Sequence, residues 1–358
     1  MSQTQSQRQS SRHWPLDLMR ILATYGVVLM HTSPLPAEYQ LADHPAWRAS
    51  MALSILFRWC VPVFFMVSGA LFLNPKRSFS VRKLYRKNIL RIATCFVFWS
   101  AFYALAHCAI MGKGKWTFLN QLLRGHYHMW YIFAILALYM LLPMLRKMTE
   151  SRKLTEYFLG LGFLFVFLLP RLISFALMLN PPHADVVASI QSAVRQVNPL
   201  SGANSVFYFV LGYYLQAYPL KKAVRIPLWL AGAAGYLATV VLTIWHTGLT
   251  QSVSGQFYGP DSTTVLAMSV AVFLLFEHAF ARYQPGARMQ RLLLTLSECS
   301  FGVYLVHPFL IERLGPVFEP VPAVMVLGTV GVALGVYLVS LAISFLIHKI
   351  PFLNRYIV

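Results

Sequence analysis

A backbone can cross a bilayer only if its hydrogen bonds close within the protein, so a chain divided into apolar stretches of about twenty residues is constrained to build membrane helices. About ten such stretches occur here, at 16–34, 52–73, 90–111, 129–145, 155–179, 204–217, 226–245, 263–281, 293–311 and 321–348. With 58% hydrophobic residues and a mean hydropathy of +0.59, the chain is too apolar for a water-soluble core. The expected fold is therefore all-α: a polytopic bundle of about ten transmembrane helices in one domain, 14–358, behind a disordered polar tail, 1–13. That tail is too polar for the apolar region of a signal peptide, and the stretch behind it is long enough to remain as a first helix. The sixth stretch is short and the last is long, which burial inside the bundle and tilt accommodate.

A net charge of +19 raises nucleic acid as a partner, but the positions of the charges exclude the need for one. Most of the 30 Lys and Arg fall on alternate connections: Arg8, Arg12 and Arg20, the run from Lys76 to Arg91, the group at 146–153, Lys221 to Arg225, Arg282 to Arg291, and Lys349 with Arg355. This is the positive-inside pattern, and it predicts that both termini are cytoplasmic. Cys60, Cys95, Cys108 and Cys299 have no metal-ligand or CxxC spacing and lie in apolar surroundings, so they carry no expected chemistry. The connection at 180–203 reads as a loop, with an amphipathic interfacial segment at 186–197 as the other reading.

The first apolar stretch holds Asp17, Arg20 and His31. Ionisable groups in a membrane helix are costly, face a partner or a cavity, and mark functional sites. Arg20 and His31 stand eleven positions apart, which on a helix is about 20° around the axis and about 16 Å along it. They share a face but cannot touch. Arg58 and Glu298 also lie in apolar stretches and need partners that sequence does not name, while Ser68-Gly69 is a small pair that permits close helix approach.

Leu16 to His31, L-D-L-M-R-I-L-A-T-Y-G-V-V-L-M-H, resembles the first helix of the membrane acyltransferase-3 family, marked by Arg or Lys, ten residues, then His. Four further stretches resemble the same family in order: V-P-V-F-F-M-V-S-G-A-L-F from Val61, Y-H-M-W-Y from Tyr127 with Tyr139 and Pro143 behind it, V-L-G-Y-Y from Val210, and S-F-G-V-Y-L-V-H-P from Ser300. Within the family the chain looks like the branch of stand-alone surface-polysaccharide O-acetyltransferases, of the kind that acetylates enterobacterial common antigen. One departure stands out. Where the family often carries Arg-x-x-Arg, this chain has Asn88 before Arg91, with Lys87 one residue earlier.

The resemblance implies a bacterial inner-membrane enzyme that moves an acetyl group from cytoplasmic acetyl-CoA to a hydroxyl of a surface glycan or lipid-linked sugar, without a metal. Such a transfer needs a base, stabilisation of the oxyanion and two substrate sites. His31 is the expected base, with an acidic group as a candidate to orient it; Arg20 either meets the donor or pairs with Asp17 at the entrance. Lys87, Arg91 and Arg86 are expected to hold the CoA phosphates, Lys87 and Arg91 by sharing a helical face. His128, Trp130, Tyr304 and His307 are expected on the acceptor side, although Trp130 also suits an interfacial belt and His307-Pro308 also suits a helix end. A glycan or lipid transporter built on the same bundle is the competing reading.

Overall fold

The computed structural model describes residues 12–33, 45–111, 115–179, 183–198, 203–253, 255–314 and 325–357. Of the tail expected at 1–13, residues 1–11 lie outside the described residues, as do parts of the connection at 180–203. Among the described residues there is no strand, and every expected apolar stretch is helical. In chain order the helices are α1 (Trp14–Thr32), α2 (Pro45–Leu56), α3 (Cys60–Phe72), α4 (Leu90–Met111), α5 (Lys115–Arg124), α6 (Trp130–Thr149), α7 (Arg152–Gly162) and α8 (Leu169–Met178). They continue with α9 (Ala184–Val197), α10 (Asn204–Ala217), α11 (Lys222–Thr250), α12 (Thr263–Ala279), α13 (Ala287–Leu314), α14 (Met325–Lys349) and α15 (Pro351–Tyr356).

Among the described residues seven helices are long and apolar enough to cross a membrane, with α2–α3, α5–α6 and α7–α8 each counting as one span, and Thr263–Ala279 is apolar but shorter. The chain is a multi-pass helical membrane protein. Besides α12, two of the expected stretches fall outside the seven for different reasons: α1 is diluted by Asp17, Arg20 and His31, and α10 has only 14 residues. Both are enclosed by other helices. α1 packs against α2, α3, α12, α13 and α14, so its polar groups face protein rather than lipid.

Proline shapes two spans. Pro62 has no N–H for the Arg58 carbonyl, and the 52–73 stretch is accordingly broken by a turn at 57–59 between α2 and α3. Arg58, in that turn, donates to Ser54 Oγ at 3.1 Å and lies 4.2 Å from the Tyr258 ring, which answers the expectation of a partner for this charge. Ahead of Pro170, a π-helical segment Phe163–Leu168 joins α7 to α8 and absorbs the residue that a regular helix could not bond. The loop expected at 180–203 is instead largely helical, because the amphipathic stretch forms α9 and packs on α8. All four cysteines are free, and three are buried.

Candidate functional site

The beginning of α1 is fastened by its carboxylate. Asp17 is 6% exposed and accepts two bonds from one guanidinium, Arg12 Nε at 2.7 Å and Arg12 Nη2 at 2.9 Å. This clamp raises the Arg12 pKa above its ordinary value. Ser297 of α13 donates to Asp17 Oδ1 at 2.6 Å and accepts from Arg20 Nη1 at 3.2 Å. The expected Arg20–Asp17 pair is present as a long ion pair, Arg20 Nη1 to Asp17 Oδ1 at 3.9 Å, and Ser297 bridges the two by hydrogen bonds. Asp17→Asn should lower stability by about 2 kcal/mol, since it leaves two part-buried cations facing a neutral amide. A melting curve in detergent checks this, and an unchanged midpoint would contradict it.

With Asp17 held by Arg12 and Ser297, Arg20 is left to border a cavity of about 630 Å³. Arg91, Asn88, Tyr131, Tyr139 and Glu298 stand in the same wall, which gives Glu298 the polar setting that its position requires. His348 and Asn354 line it too, so the two ends of the described chain meet at this end of the bundle. Arg86 and Lys87 do not line the cavity and are exposed. Asn88, three residues before Arg91 and so on the same helical face, takes the place in the cavity wall beside it.

At the far end of α1, His31 meets a histidine rather than an acid. His31 Nδ1 lies 2.9 Å from His307 Nε2, the rings stacked at 5.1 Å. His307 is fully buried inside α13, which runs on through Pro308 to Leu314 instead of ending there. Its Nδ1 is 3.0 Å from the Val303 carbonyl, an oxygen that can only accept, so Nδ1 carries hydrogen. In the neutral ring His307 Nε2 is then an acceptor, the hydrogen between the rings belongs to His31 Nδ1, and the His31 lone pair is left on Nε2. Backbone geometry thus fixes the tautomer of His31 and leaves its Nε2 able to accept a proton.

A second chain lies beside it. His126 Nε2 is 2.9 Å from Glu312 Oε1, and His126 Nδ1 is 2.9 Å from His128 Nδ1. Read by the same logic, with neutral rings, His128 keeps its lone pair on Nε2, a buried atom without a hydrogen-bond partner. The His128 ring is 5.9 Å from His307 and 5.2 Å from Tyr304, whose hydroxyl donates to the His128 carbonyl at 2.6 Å. Trp130 stays out of this cluster: it is 49% exposed on the first turn of α6, as an interfacial aromatic would be.

The histidines stand between two cavities. On the Arg20 side Tyr131, a wall residue, is 5.6 Å from Tyr304, which is 6.2 Å from His307. On the other side Tyr127, 5.6 Å from His31, lines a second cavity of about 480 Å³ together with His126 and Glu312. Sequence reasoning missed Arg12, Ser297, His126, Tyr127 and Glu312. The run His126-Tyr127-His128 was a usable signal, whereas the partners Ser297 and Glu312 become visible only once α13 is packed against α1 and the start of α6.

Residues 14–349 match the acyltransferase-3 family model, described as an acyltransferase domain. No curated protein and no solved structure matches the chain. The family match takes in the histidine cluster and nearly all of both cavity walls, and with the helical bundle around them it establishes that this chain belongs to the acyltransferase-3 family as a membrane acyltransferase.

Proposed function

We propose that the protein transfers an acetyl group from acetyl-CoA, bound at the Arg20 cavity, to a hydroxyl of a surface glycan or lipid-linked sugar that reaches His31 from the opposite side. The observation that carries this reading is the His31–His307 pair between two cavities, one ring contact from the second through Tyr127 and two from the first through Tyr304 and Tyr131. Arg20 and Arg91 give the first cavity the charge to meet an anionic donor, and the basic run that begins at Lys76 ends at Arg91 in its wall. The positive-inside pattern puts that end in the cytoplasm, where acyl-CoA is found, and makes the bacterial inner membrane the expected location. The surface-polysaccharide O-acetyltransferase branch rests on the sequence motifs.

In direct transfer, His31 Nε2 takes the proton of the acceptor hydroxyl as its oxygen attacks the thioester carbonyl; the C–S bond breaks and the thiolate leaves with its electron pair. His307 holds the His31 ring throughout, and its Nε2 lone pair is engaged by the His31 Nδ1–H rather than free for the acceptor's proton. Arg20 and Arg91 act earlier, by holding the donor.

Purified protein in lipid nanodiscs with labelled acetyl-CoA and candidate lipid-linked glycans tests the reading. Label should move to the glycan, and Arg20→Gln or Arg91→Gln should raise the donor KM about tenfold each with a smaller change in kcat, as for a lost charged contact to a substrate. Wild-type protein that neither binds nor consumes acetyl-CoA would overturn this donor assignment. The transporter alternative gains no support from the family match.

A further inference from the structure

Acyl transfer needs a hydrogen-bond donor for the negative charge that develops on the acyl oxygen, close to the base. Arg20 is about 16 Å along α1 from His31 and Arg91 shares its cavity wall, so neither reaches that point. A cation at the right depth lies in the turn between α2 and α3. The Ser50 hydroxyl of α2 donates to the Ser33 carbonyl at 2.6 Å, and further along α1 a Cβ at Gly26 would meet Cys60 Sγ at 2.4 Å and Phe57 at 2.6 Å. The segment that carries Arg58 is thus fastened to α1 on both sides of His31. Its guanidinium reaches back one turn to Ser54 Oγ, between those two contacts, and of the charged groups around His31 it acts on that ring most strongly.

A charge at this depth calls for a countercharge, yet among the described residues no carboxylate pairs with Arg58. The Tyr258 ring holds the guanidinium and Ser54 takes one Nη2 hydrogen. Nε is buried without a partner, whereas Nη1, which also takes no bond among the described residues, is not shut off from accessible space. A resident acid would neutralise this cation at all times. An unpaired cation held in place by an aromatic face is instead available to a charge that exists only during the reaction, which is where a preorganised donor has its largest effect.

We propose that Arg58 is the oxyanion donor of the transfer, with Nη1 donating to the acyl oxygen as the acceptor oxygen attacks. The charge forms on that oxygen, returns to carbon as the bond to the leaving group breaks, and departs with the leaving group, so Arg58 binds it only in transit. The inference rests on acyl transfer at His31 and needs neither acetyl-CoA nor a glycan as substrate.

The test uses p-nitrophenyl acetate on the full-length protein in nanodiscs, with water in place of the acceptor. His31 Nε2 takes a proton from water as its oxygen attacks the ester carbonyl; the C–O bond breaks, p-nitrophenolate leaves with the electron pair, and His31 returns the proton to solvent. Arg58→Gln should lower the His31-dependent kcat about 10²-fold with little change in the ester KM, and Arg58→Lys, which keeps the charge, should recover about tenfold of that loss. Tyr258→Leu, which loosens the guanidinium without removing it, should lower kcat about threefold, and it carries the test if Arg58→Gln does not fold. If Arg58 only caps α2, its loss moves the melting midpoint and leaves the rate per folded protein untouched, which overturns the inference. Arg58→Lys no faster than Arg58→Gln, or wild-type cleavage no faster than that of His31→Ala, overturns it too. Slowed cleavage in Arg58→Gln and Tyr258→Leu upholds it even if acetyl-CoA is never consumed, in which case it is the donor reading that fails.

Discussion

His31→Ala should lower acyl transfer at least about 10³-fold while leaving donor binding close to wild type, because it removes the one lone pair that the His307 bond aims and frees. The companion substitution is more diagnostic. His307→Ala leaves His31 in place but takes away the acceptor of its Nδ1 hydrogen, so the ring loses both orientation and tautomer, and a buried donor is left without a partner. The expected loss is about 10²-fold in kcat, with little change in either KM. If His307 only filled space, His307→Phe would keep activity; on the geometry observed it should be as slow as His307→Ala. Steady-state kinetics on nanodisc protein, read beside a donor-binding titration, checks all three variants.

This pair also shows where sequence reasoning reaches and where it stops. Hydropathy found the helices because each must satisfy lipid over its whole length, a constraint carried by every residue in the stretch. The spacing of Arg20 and His31 placed them on one face because helix geometry is local, and the structure bears out that each looks into the interior of the bundle. What stands opposite each residue is a different question. Nothing local makes His307 the partner of His31, or Glu312 the partner of His126; those pairs join α13 to helices earlier in the chain by nearly two hundred residues or more. Spacing alone does not choose the neighbour of Arg91: Lys87 four residues back and Asn88 three residues back both share its helical face, and it is Asn88 that lines the cavity while Lys87 stays exposed. Arg12 was overlooked for a simpler reason: it precedes the apolar stretch and reads as part of a polar tail, yet it binds Asp17 with two hydrogen bonds.

The largest effect on stability should come from a residue with no polar chemistry. Gly69 of α3 and Gly212 of α10 sit in one close helix contact: a Cβ at Gly69 would stand 1.6 Å from the Phe209 carbonyl oxygen, and one at Gly212 would stand 2.1 Å from the Met66 carbonyl oxygen. Both obstacles are backbone, so no side chain can rotate away, and the two helices would have to separate. Membrane helices gain little from burying apolar surface against each other and depend on such close packing, which makes the separation expensive. Gly69→Ala should cost about 3 kcal/mol or more and Gly69→Val should prevent folding. Gly160 of α7 is the control. Nothing lies within 4 Å of a Cβ built there, so Gly160→Ala should be neutral or stabilise by about 0.5–1 kcal/mol through helix propensity alone. Melting temperatures in detergent decide between the positions: a Gly69→Ala protein that melts with the wild type would mean that α3 and α10 do not approach as described. The consequence reaches the site, since α3 also packs against α1 and carries Ser68 into the wall of the Arg20 cavity. A bundle loosened at Gly69 should therefore lose donor affinity before it loses its helices, and donor titration alongside circular dichroism would separate the two.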